Sequence, residues 1–472
     1  MRIRNRLQAA FFLLAFGLSL VAPAQELPAP VAVALNRAQI PTAAAGVFVQ
    51  EAGGGPALVA LNESQPFNPA STMKLVTSNA ALEILGPAYV WKTQAYAEGR
   101  MDGDVLHGDL IIKGSGDPKL VLESLWMFLR RLRAAGIREI RGNLVLDRTV
   151  FAEVAHDAAQ FDGDPLRPYN VGPDGLLLNY KSLSFRFAPD EARGAVSVTV
   201  DPPLAAYPLY APVLSGGDCG DWRLRLNAAI DSNSARFNGA YAASCGVRFW
   251  HVHPHLMSHT QYFDLAFRRF WADLGGTLKG LTAPGILPPT ARLVAEWDSA
   301  TLSEIIRDIN KFSNNVMARQ LLLTLAAQVT KQPASTARGA DIVRSWLANK
   351  AIEAPELVIE NGSGLSRVER IAPRTMGRML SAAFLSPNMP EFMASLPLVG
   401  HDGTMRSRLT TQTVAGKAHI KTGFLNDVRA IAGYVLAASG RRYVVVFMIN
   451  HANALHGNEA QDALLQWVYE RG

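Results

Sequence analysis

The chain has 472 residues, of which 49% are hydrophobic and 18% are charged, and its formal net charge is +6. This composition is typical of a globular protein of roughly two or three domains and excludes a disordered chain. Three arginines lie in the first 24 residues, so the remainder carries only +3. That weak charge does not indicate a nucleic acid as partner.

The N-terminus has the pattern of a secretory signal peptide. Three arginines precede an apolar run over residues 9–21, and small residues follow at positions 22–24. We predict a signal peptide over residues 1–24, cleavage before Gln25 and a periplasmic location, with an uncleaved anchor as the alternative. No later stretch is apolar for long enough to span a bilayer, so no membrane span is expected after cleavage.

The next elements in the chain predict a helix, a hairpin and a second helix. Residues 28–36 are consistent with a short helix. Residues 45–51 and 57–62 are β-rich runs joined by Gly53-Gly54-Gly55-Pro56, a composition that favours a hairpin. A helix that begins near Pro69 follows directly and carries Ser71.

The pattern of the sequence changes from about residue 95 onward. Short strand-like runs and turns dominate, and residues 196–200 and 222–226 alternate in hydrophobicity as strands do. One helix is predicted over residues 118–135. We therefore expect a β-rich inserted region over residues 96–291.

Helical patterns return from residue 292. The segments with helical apolar spacing are 302–312, 316–329, 336–351, 375–384, 389–396 and 457–469. Residues 428–438 and 442–450 predict a second hairpin. We expect residues 25–95 and 292–472 to form one discontinuous α/β (α+β) domain, in which helices flank an antiparallel sheet that both ends of the chain build.

Ser71 and Lys74 are the first candidate catalytic pair. On a helix, residues three apart share one face, so the two side chains would lie one turn apart. A serine hydroxyl is a weak nucleophile until a base removes its proton, and a lysine can be that base only when it is neutral. Burial and a second nearby cation would lower the lysine pKa enough for this role.

A second motif, Ser313-Asn314-Asn315, lies in a predicted loop between two helices. Ser313 can pass a proton between Lys74 and a leaving amine. Asn315 can bind the amide carbonyl of a substrate and steady the lysine. These residue types therefore suit acyl transfer at Ser71.

A third motif, Lys421-Thr422-Gly423, precedes the second hairpin. Lys421 adds a positive charge that lowers the pKa of a neighbouring lysine and attracts a carboxylate, which Thr422 can bind directly. The backbone amides of Ser71 and Phe424 could then hold the oxyanion.

The three motifs occur in the order found in penicillin-binding proteins and related β-lactamases. With the segments 108–118, 361–367 and 396–404, they make the chain resemble the penicillin-binding protein 4 family over most of its length. The resemblance implies a transpeptidase-like domain with a large insertion. It also implies an exported serine D-alanyl-D-alanine carboxypeptidase/endopeptidase that acts on peptidoglycan stem peptides and cross-links, that β-lactams acylate, and that needs no cofactor or metal.

The resemblance also implies an acidic residue of the inserted region that meets the diamino acid of a cross-link. Asp164 is the nearest match, and Asp162 is the alternative. The sequence departs from its relatives at Phe424, where a small hydroxyl residue is common. No candidate exists for the glutamate that class A β-lactamases use in deacylation, so β-lactams should remain bound to Ser71.

Three further predictions concern the rest of the chain. Cys219 and Cys245 should form a disulfide in an oxidising compartment. A non-catalytic peptidoglycan-binding or β-lactam-sensing protein on the same fold is one alternative function. A zinc peptidase that uses the cluster of four histidines between His251 and His259 is another, although no carboxylate or cysteine completes an obvious ligand set.

Overall fold

A computed structural model describes residues 27–153 and 155–472, and the predicted signal peptide lies outside the described residues. The helices are α1 (Ala29–Arg37), α2 (Met73–Leu85), α3 (Leu122–Ala134), α4 (Trp222–Arg225), α5 (His259–Asp273), α6 (Leu302–Lys311), α7 (Asn315–Thr330), α8 (Thr336–Asn349), α9 (Pro373–Phe384), α10 (Met389–Ser395) and α11 (Asn458–Arg471).

The strands before the second half of the chain are β1 (Ala45–Glu51), β2 (Ala57–Leu61), β3 (Lys92–Asp102), β4 (Val105–Lys113), β5 (Glu139–Ile140), β6 (Leu144–Asp147), β7 (Leu183–Asp190), β8 (Ala195–Asp201), β9 (Leu209–Tyr210) and β10 (Val213–Ser215). The remaining strands are β11 (Ala228–Ile230), β12 (Ala235–Phe237), β13 (Ala240–Ala242), β14 (Arg248–Val252), β15 (Thr277–Leu278), β16 (Thr282–Pro284), β17 (Arg292–Asp298), β18 (Ala418–Leu425), β19 (Val428–Leu436) and β20 (Arg442–Asn450).

The central sheet has the order β18-β19-β20-β1-β2, and every neighbouring pair in it is antiparallel. Strand β1 pairs with β20 in the register Ala45 opposite Ile449. Both predicted hairpins are present in this sheet. The predicted fold class, an antiparallel sheet that both ends of the chain build, is confirmed.

Helices cover both faces of the central sheet. This arrangement explains why strand β20 is apolar over almost its whole length. Successive side chains of a strand point to opposite faces. Val444, Val446 and Met448 pack into a core with α2, α6, α7 and α9, whereas Val445 and Phe447 pack into a second core with α1 and α11. Because both faces are buried, apolar residues are required at every position of the strand.

Helix α2 lies inside the first of these cores. All residues from Met73 to Leu82 are buried, including polar ones. A helix surrounded on all sides removes water from every side chain it carries. This placement explains the full burial of Lys74.

The inserted region forms its own sheets. The largest combines β3, β4, β5, β6, β15, β16 and β17, and smaller sheets combine β14-β7-β8, β11-β12-β9 and β10-β13. Strand β17 lies just beyond the predicted boundary at 291/292 and pairs with β3, with Arg292 opposite Ala97, so the largest sheet of the inserted region begins and ends on neighbouring strands. The division into domains at residues 95/96 and 291/292 stays a prediction.

The predicted strand over residues 222–226 is wrong. Trp222–Arg225 is a single helical turn, and the Asp221 side chain caps it by accepting a hydrogen bond from the amide of Leu224. The guanidinium of Arg225 donates to the carbonyls of Asp218 and Cys219. Capping and these local bonds outweigh the alternating pattern of a short segment.

Cys219 and Cys245 are joined by a disulfide, with their Cα atoms 4.7 Å apart. The bond ties the loop before α4 to the turn after β13. The ring of Trp222 packs edge-on against Tyr241 nearby, so this small lobe has an aromatic core as well as a covalent link. In the described part of the chain, no helix combines the length and the apolar character that a bilayer crossing requires.

Candidate active site

Ser71 lies in a single 3₁₀ turn, Ala70–Thr72, that leads into α2. Ala70 has a φ of +43°, a left-handed conformation that residues other than glycine rarely adopt. The side chain of Asn68 holds this turn by accepting a hydrogen bond from the amide of Ala70 at 2.9 Å. The strained turn presents the hydroxyl of Ser71 at the end of the helix while the rest of the helix is buried.

Lys74 follows one turn later, and its Nζ has three oxygen neighbours. It lies 3.0 Å from Ser71 Oγ and 2.5 Å from Asn315 Oδ1, and it also contacts the backbone carbonyl of Ser363. A neutral amine has two N–H donors and one lone pair. Since the Asn315 and Ser363 oxygens can only accept, they take the two N–H groups and leave the lone pair for the hydroxyl of Ser71.

The surroundings of Lys74 favour its neutral form. Burial lowers the pKa of Lys74 well below its ordinary value of 10.5, and the charges of Lys421 and Arg319 lower it further. The carboxylate of Glu369 acts in the opposite direction. Desolvation therefore prepares this lysine to accept a proton.

Ser313 connects the second and third motifs. The Nζ of Lys421 donates to Ser313 Oγ at 2.9 Å and to the carbonyl of Thr422 at 2.8 Å. Ser313 has a φ of +58°, and Asn314 directly after it caps α7 by accepting from the amide of Met317. Burial lowers the pKa of Lys421 to about 7.

Strand β18 runs against the turn that carries Ser71. A Cβ at Gly423 would lie 2.6 Å from the carbonyl oxygen of Pro69, so this close approach requires glycine. Thr422 Oγ1 donates to Thr404 Oγ1 at 2.7 Å, which places two hydroxyls beside each other. Phe424 is 57% exposed, and the guanidinium of Arg429 lies 3.8 Å from its ring centre.

The structure therefore brings together Ser71 with Lys74 and Asn315, and Ser313 with Lys421. The oxyanion role of the Ser71 and Phe424 amides stays a prediction. So do the individual catalytic and binding roles, for which the contacts supply support.

Sequence reasoning assigned no role to the turn over residues 361–365, although this segment entered the resemblance. The turn supplies the Ser363 carbonyl to Lys74, and Gly364 lies on the backbone of the nucleophile turn. A backbone carbonyl leaves no signature in side-chain motifs. The usable signal was the pair of glycines that flank Ser363, both of which have a positive φ.

We expect Gly364→Ala to slow acylation of Ser71 by roughly 100-fold, because a displacement of about 1 Å at a reacting group has that effect. The new Cβ would lie 1.8 Å from the Ala70 carbonyl oxygen, and Gly364 has a φ of +79°. Gly440→Ala is the matched control: its φ is +84°, but nothing lies within 4 Å of a Cβ there. Equal acylation rates for the two variants, measured with a fluorescent penicillin, would contradict this expectation.

A cleft of about 980 Å³ extends from the second motif to the inserted region. Its lining includes Ser313 and Asn315 of the second motif and Asp164, Arg167 and Tyr169 of the inserted region. The carboxylate of Asp164 is partly exposed, and Arg167 Nε donates to it at 2.7 Å.

Asp162 differs from Asp164 in its position. Its carboxylate accepts hydrogen bonds from the Tyr169 hydroxyl at 2.6 Å and from Asn170 Nδ2 at 2.8 Å, and it does not line the cleft. Asp164 therefore lines the cleft and Asp162 does not, although both carboxylates also accept local hydrogen bonds.

The histidines between His251 and His259 do not converge. His251 lines the cleft, whereas His253 is buried with its Nε2 3.4 Å from Lys181 Nζ. Burial, and next Lys181, lower the pKa of both His253 and His259. Among the described residues, no group of three or more His, Cys, Asp or Glu side chains could hold a metal ion. A lysine this close would also repel a zinc ion, so the geometry does not favour the zinc alternative.

Comparison with known proteins places this geometry in a family. The chain is 26% identical over 389 residues to the D-alanyl-D-alanine carboxypeptidase DacB of Haemophilus influenzae, covering 81% of this chain and 80% of that protein. It is 29% identical over 441 residues to a D-alanyl-D-alanine carboxypeptidase of an Actinomadura species, covering 88% and 79%.

Solved structures agree with the sequence relatives. The crystal structure of penicillin binding protein 4 from Haemophilus influenzae matches with a TM-score of 0.79 and 25% identity, covering 93% of this chain and 99% of that chain. A structure of that protein complexed with a β-lactam matches with a TM-score of 0.75 and 24% identity. The predicted likeness to the penicillin-binding protein 4 family is confirmed. A sequence profile matches residues 27–471, and the chain belongs to the D-Ala-D-Ala carboxypeptidase 3 (S13) family.

Proposed function

We propose that the protein is a serine D,D-carboxypeptidase and D,D-endopeptidase that cleaves D-Ala-D-Ala and D-Ala-diamino-acid bonds of peptidoglycan through an acyl-enzyme on Ser71. The observation that carries this proposal is the contact set of Lys74. A buried amine with both N–H groups engaged has only its lone pair left, and that lone pair faces the serine hydroxyl.

These contacts support the first step of the reaction, and the relay through Ser313 is part of the proposal. Ser71 Oγ attacks the carbonyl carbon while its proton moves to Nζ of Lys74, and a tetrahedral oxyanion forms. Ser313 relays the proton to the leaving amine, the C–N bond breaks, and an ester to Ser71 remains. A water molecule then attacks the ester carbonyl and gives a proton to Lys74; the C–Oγ bond breaks, Lys74 returns the proton to Ser71 Oγ, and the acyl group leaves as a carboxylic acid.

The terminal carboxylate of the substrate would bind at the third motif. Lys421 supplies positive charge, and Thr422 supplies a hydroxyl. The sequence lacks the hydroxyl that relatives often carry at position 424. Thr404, 2.7 Å from Thr422, provides a second hydroxyl at this place from a different loop.

β-Lactams would acylate the same serine, in keeping with the β-lactam complex of the Haemophilus influenzae protein. Opening of the four-membered ring leaves the amine attached, so no part of the drug departs. Because the chain offers no candidate for the glutamate of class A β-lactamases, the ester should persist.

Asp164 supports action on cross-links. It lies in the cleft that begins at Ser313 and Asn315, where its carboxylate can bind the free ammonium group of a diamino acid. Arg167 Nε and the amide of Leu166 donate to this carboxylate and hold it in place. Stem peptides and their cross-links would thus contact both the catalytic part and the inserted region.

We expect Asp164→Asn to lower kcat/KM for a diaminopimelate cross-linked dimer about tenfold, equivalent to about 1.4 kcal/mol, because one partly exposed ion pair is lost. Acylation by penicillin should not change. Asp162→Asn is the matched control, since Asp162 does not line the cleft. Equal losses for both variants, or loss of penicillin acylation in Asp164→Asn, would remove Asp164 from the substrate site.

We also propose that residues 1–24 direct export and that the protein works in the periplasm, where peptidoglycan and an oxidising environment occur together. The Cys219–Cys245 disulfide supports this location, because such bonds persist in oxidising compartments.

One experiment separates this function from its alternatives. The purified protein would be incubated with a pentapeptide that ends in D-Ala-D-Ala and with a cross-linked dimer, and D-Ala release and dimer cleavage would be measured over many turnovers. We expect turnover that penicillin abolishes and a chelator leaves unchanged. Acylation without turnover would indicate a sensor, and inhibition by the chelator alone would indicate a zinc enzyme.

A further inference from the structure

The turn that binds Lys74 is anchored by one fully buried carboxylate. Glu369 Oε1 accepts hydrogen bonds from the backbone amides of Glu360, Asn361 and Gly362, at 3.1, 2.9 and 2.8 Å. Its own amide donates to Ser366 Oγ at 3.1 Å. A carboxylate that binds three successive amides fixes the backbone of the turn more firmly than side-chain packing alone.

That turn reaches the catalytic residues from two directions. Thr77 Oγ1 of α2 donates to the carbonyl of Gly362 at 2.7 Å, and the next carbonyl, that of Ser363, binds Nζ of Lys74. Gly364 then contacts the backbone of Ala70. Any movement of the turn would therefore change both the lysine and the serine of the candidate pair.

The second oxygen of Glu369 has a separate property. Oε2 is buried and has no hydrogen-bond partner in the described part of the chain. Burial raises the pKa of Glu369, whereas the three amides and the charge of Lys74 lower it. Among the groups that act electrostatically on Lys74, Lys421 and Arg319 are cations and Glu369 is the carboxylate.

We propose that Glu369 is a positioning residue for acyl transfer, which holds the Ser363 carbonyl on Lys74 through its three amide contacts and balances the cations around that lysine through its charge. This inference rests on the proposed function of Ser71 and Lys74. It assigns Glu369 two tasks: the contacts of Oε1 set the geometry of the turn, and the negative charge of the carboxylate opposes the cations near Lys74.

The variant Glu369→Gln separates the two tasks. A glutamine oxygen can still accept from the three amides, but the negative charge is gone. Lys74 then faces Lys421 and Arg319 without an opposing carboxylate, so its neutral form persists to lower pH. We expect the acid limb of the pH profile for penicillin acylation to move to lower pH, with the rate near neutral pH changed less than threefold.

The variant Glu369→Ala removes both tasks, and it should slow acylation by roughly 100-fold at every pH because the turn loses its anchor. Glu360→Gln is the matched control. Glu360 is exposed, lies on the same turn, and acts on Arg319 rather than on Lys74. Its pH profile should overlay that of the wild type.

The measurement is the acylation rate of each variant with a fluorescent penicillin between about pH 5 and pH 9, with thermal unfolding recorded in parallel. A Glu369→Gln profile that overlays the wild type overturns the charge role, and a Glu369→Ala rate within threefold of the wild type overturns the positioning role. If Glu369→Ala does not fold, Glu369→Asp, which keeps the charge on a side chain one methylene shorter, tests the positioning role instead, and a rate within threefold of the wild type would overturn that role. A wild-type protein that forms no adduct would contradict the proposed function instead.

Discussion

Replacement of Ser71 by alanine is expected to abolish penicillin acylation and to reduce peptide hydrolysis by at least about 10⁴-fold. The hydroxyl is the only part of the mechanism that forms a covalent bond with the substrate. Lys74, Asn315 and the Ser363 carbonyl would remain in place, because the alanine side chain removes one oxygen from their network. Neighbouring groups cannot replace a missing nucleophile.

Intact-mass spectrometry gives the clearest measurement for this variant. Wild-type protein should gain the full mass of a penicillin after brief exposure, and Ser71→Ala should gain nothing. Ser78→Ala is the matched control, because Ser78 is a buried serine on the same helix whose hydroxyl bonds to Asn310 and to neither residue of the candidate pair. An adduct on Ser71→Ala would show that another residue is the nucleophile.

The second large effect is expected at Lys74. Lys74→Arg should slow acylation by about 10³-fold, because a guanidinium stays protonated and has no lone pair to accept a proton. Lys74→Met tests the same point without the added bulk in a fully buried site. Lys74→Met should unfold within a few degrees of the wild type, whereas Lys74→Arg buries a permanent charge and should be less stable. Normal acylation in either variant would exclude Lys74 as the base.

The pH profile of the wild type follows from the two lysines. Acylation should rise with pH as Lys74 loses its proton, because only the neutral amine is a base. It should fall on the alkaline side as Lys421, with a pKa of about 7, loses the charge that attracts the carboxylate.

Lys421→Arg is therefore expected to remove the alkaline limb and to keep the acid limb, because arginine does not titrate in this range. The measurement is kcat/KM for a D-Ala-D-Ala peptide across the pH range. An alkaline limb that persists in this variant would assign that ionisation to another group.

The sequence predicted the central sheet and most helices because their patterns are long and regular. The uninterrupted apolar run of β20 and the helical spacing of α6 to α9 match the structure closely. The strand prediction for residues 222–226 was wrong because the alternating pattern of only five residues does not outweigh a helix cap at Asp221. Helix α5, His259–Asp273, was missed because its aromatic residues fit a β-rich region equally well.

The part of the candidate site that consists of reactive side chains in short motifs could be predicted from the sequence. Ser71, Lys74 and Lys421 each belong to a short motif. The three motifs occur in the order found in penicillin-binding proteins, and this order predicted that they would meet at one site. The Ser363 carbonyl and the buried Glu369 were not predictable, since one is a backbone atom and the other is an acid without a motif. The full burial of Lys74 depends on helices that come hundreds of residues later in the chain.

The pairing of β1 with β20 has a consequence for how the protein matures. Ala45 lies opposite Ile449, so the segment that carries the serine cannot join its sheet until nearly the whole polypeptide exists. Contacts of such long sequence separation form slowly. A growing or truncated chain would hold the nucleophile and its lysine without the strand of Lys421 beside them, so the candidate site would be assembled only when nearly all of the chain has been synthesised.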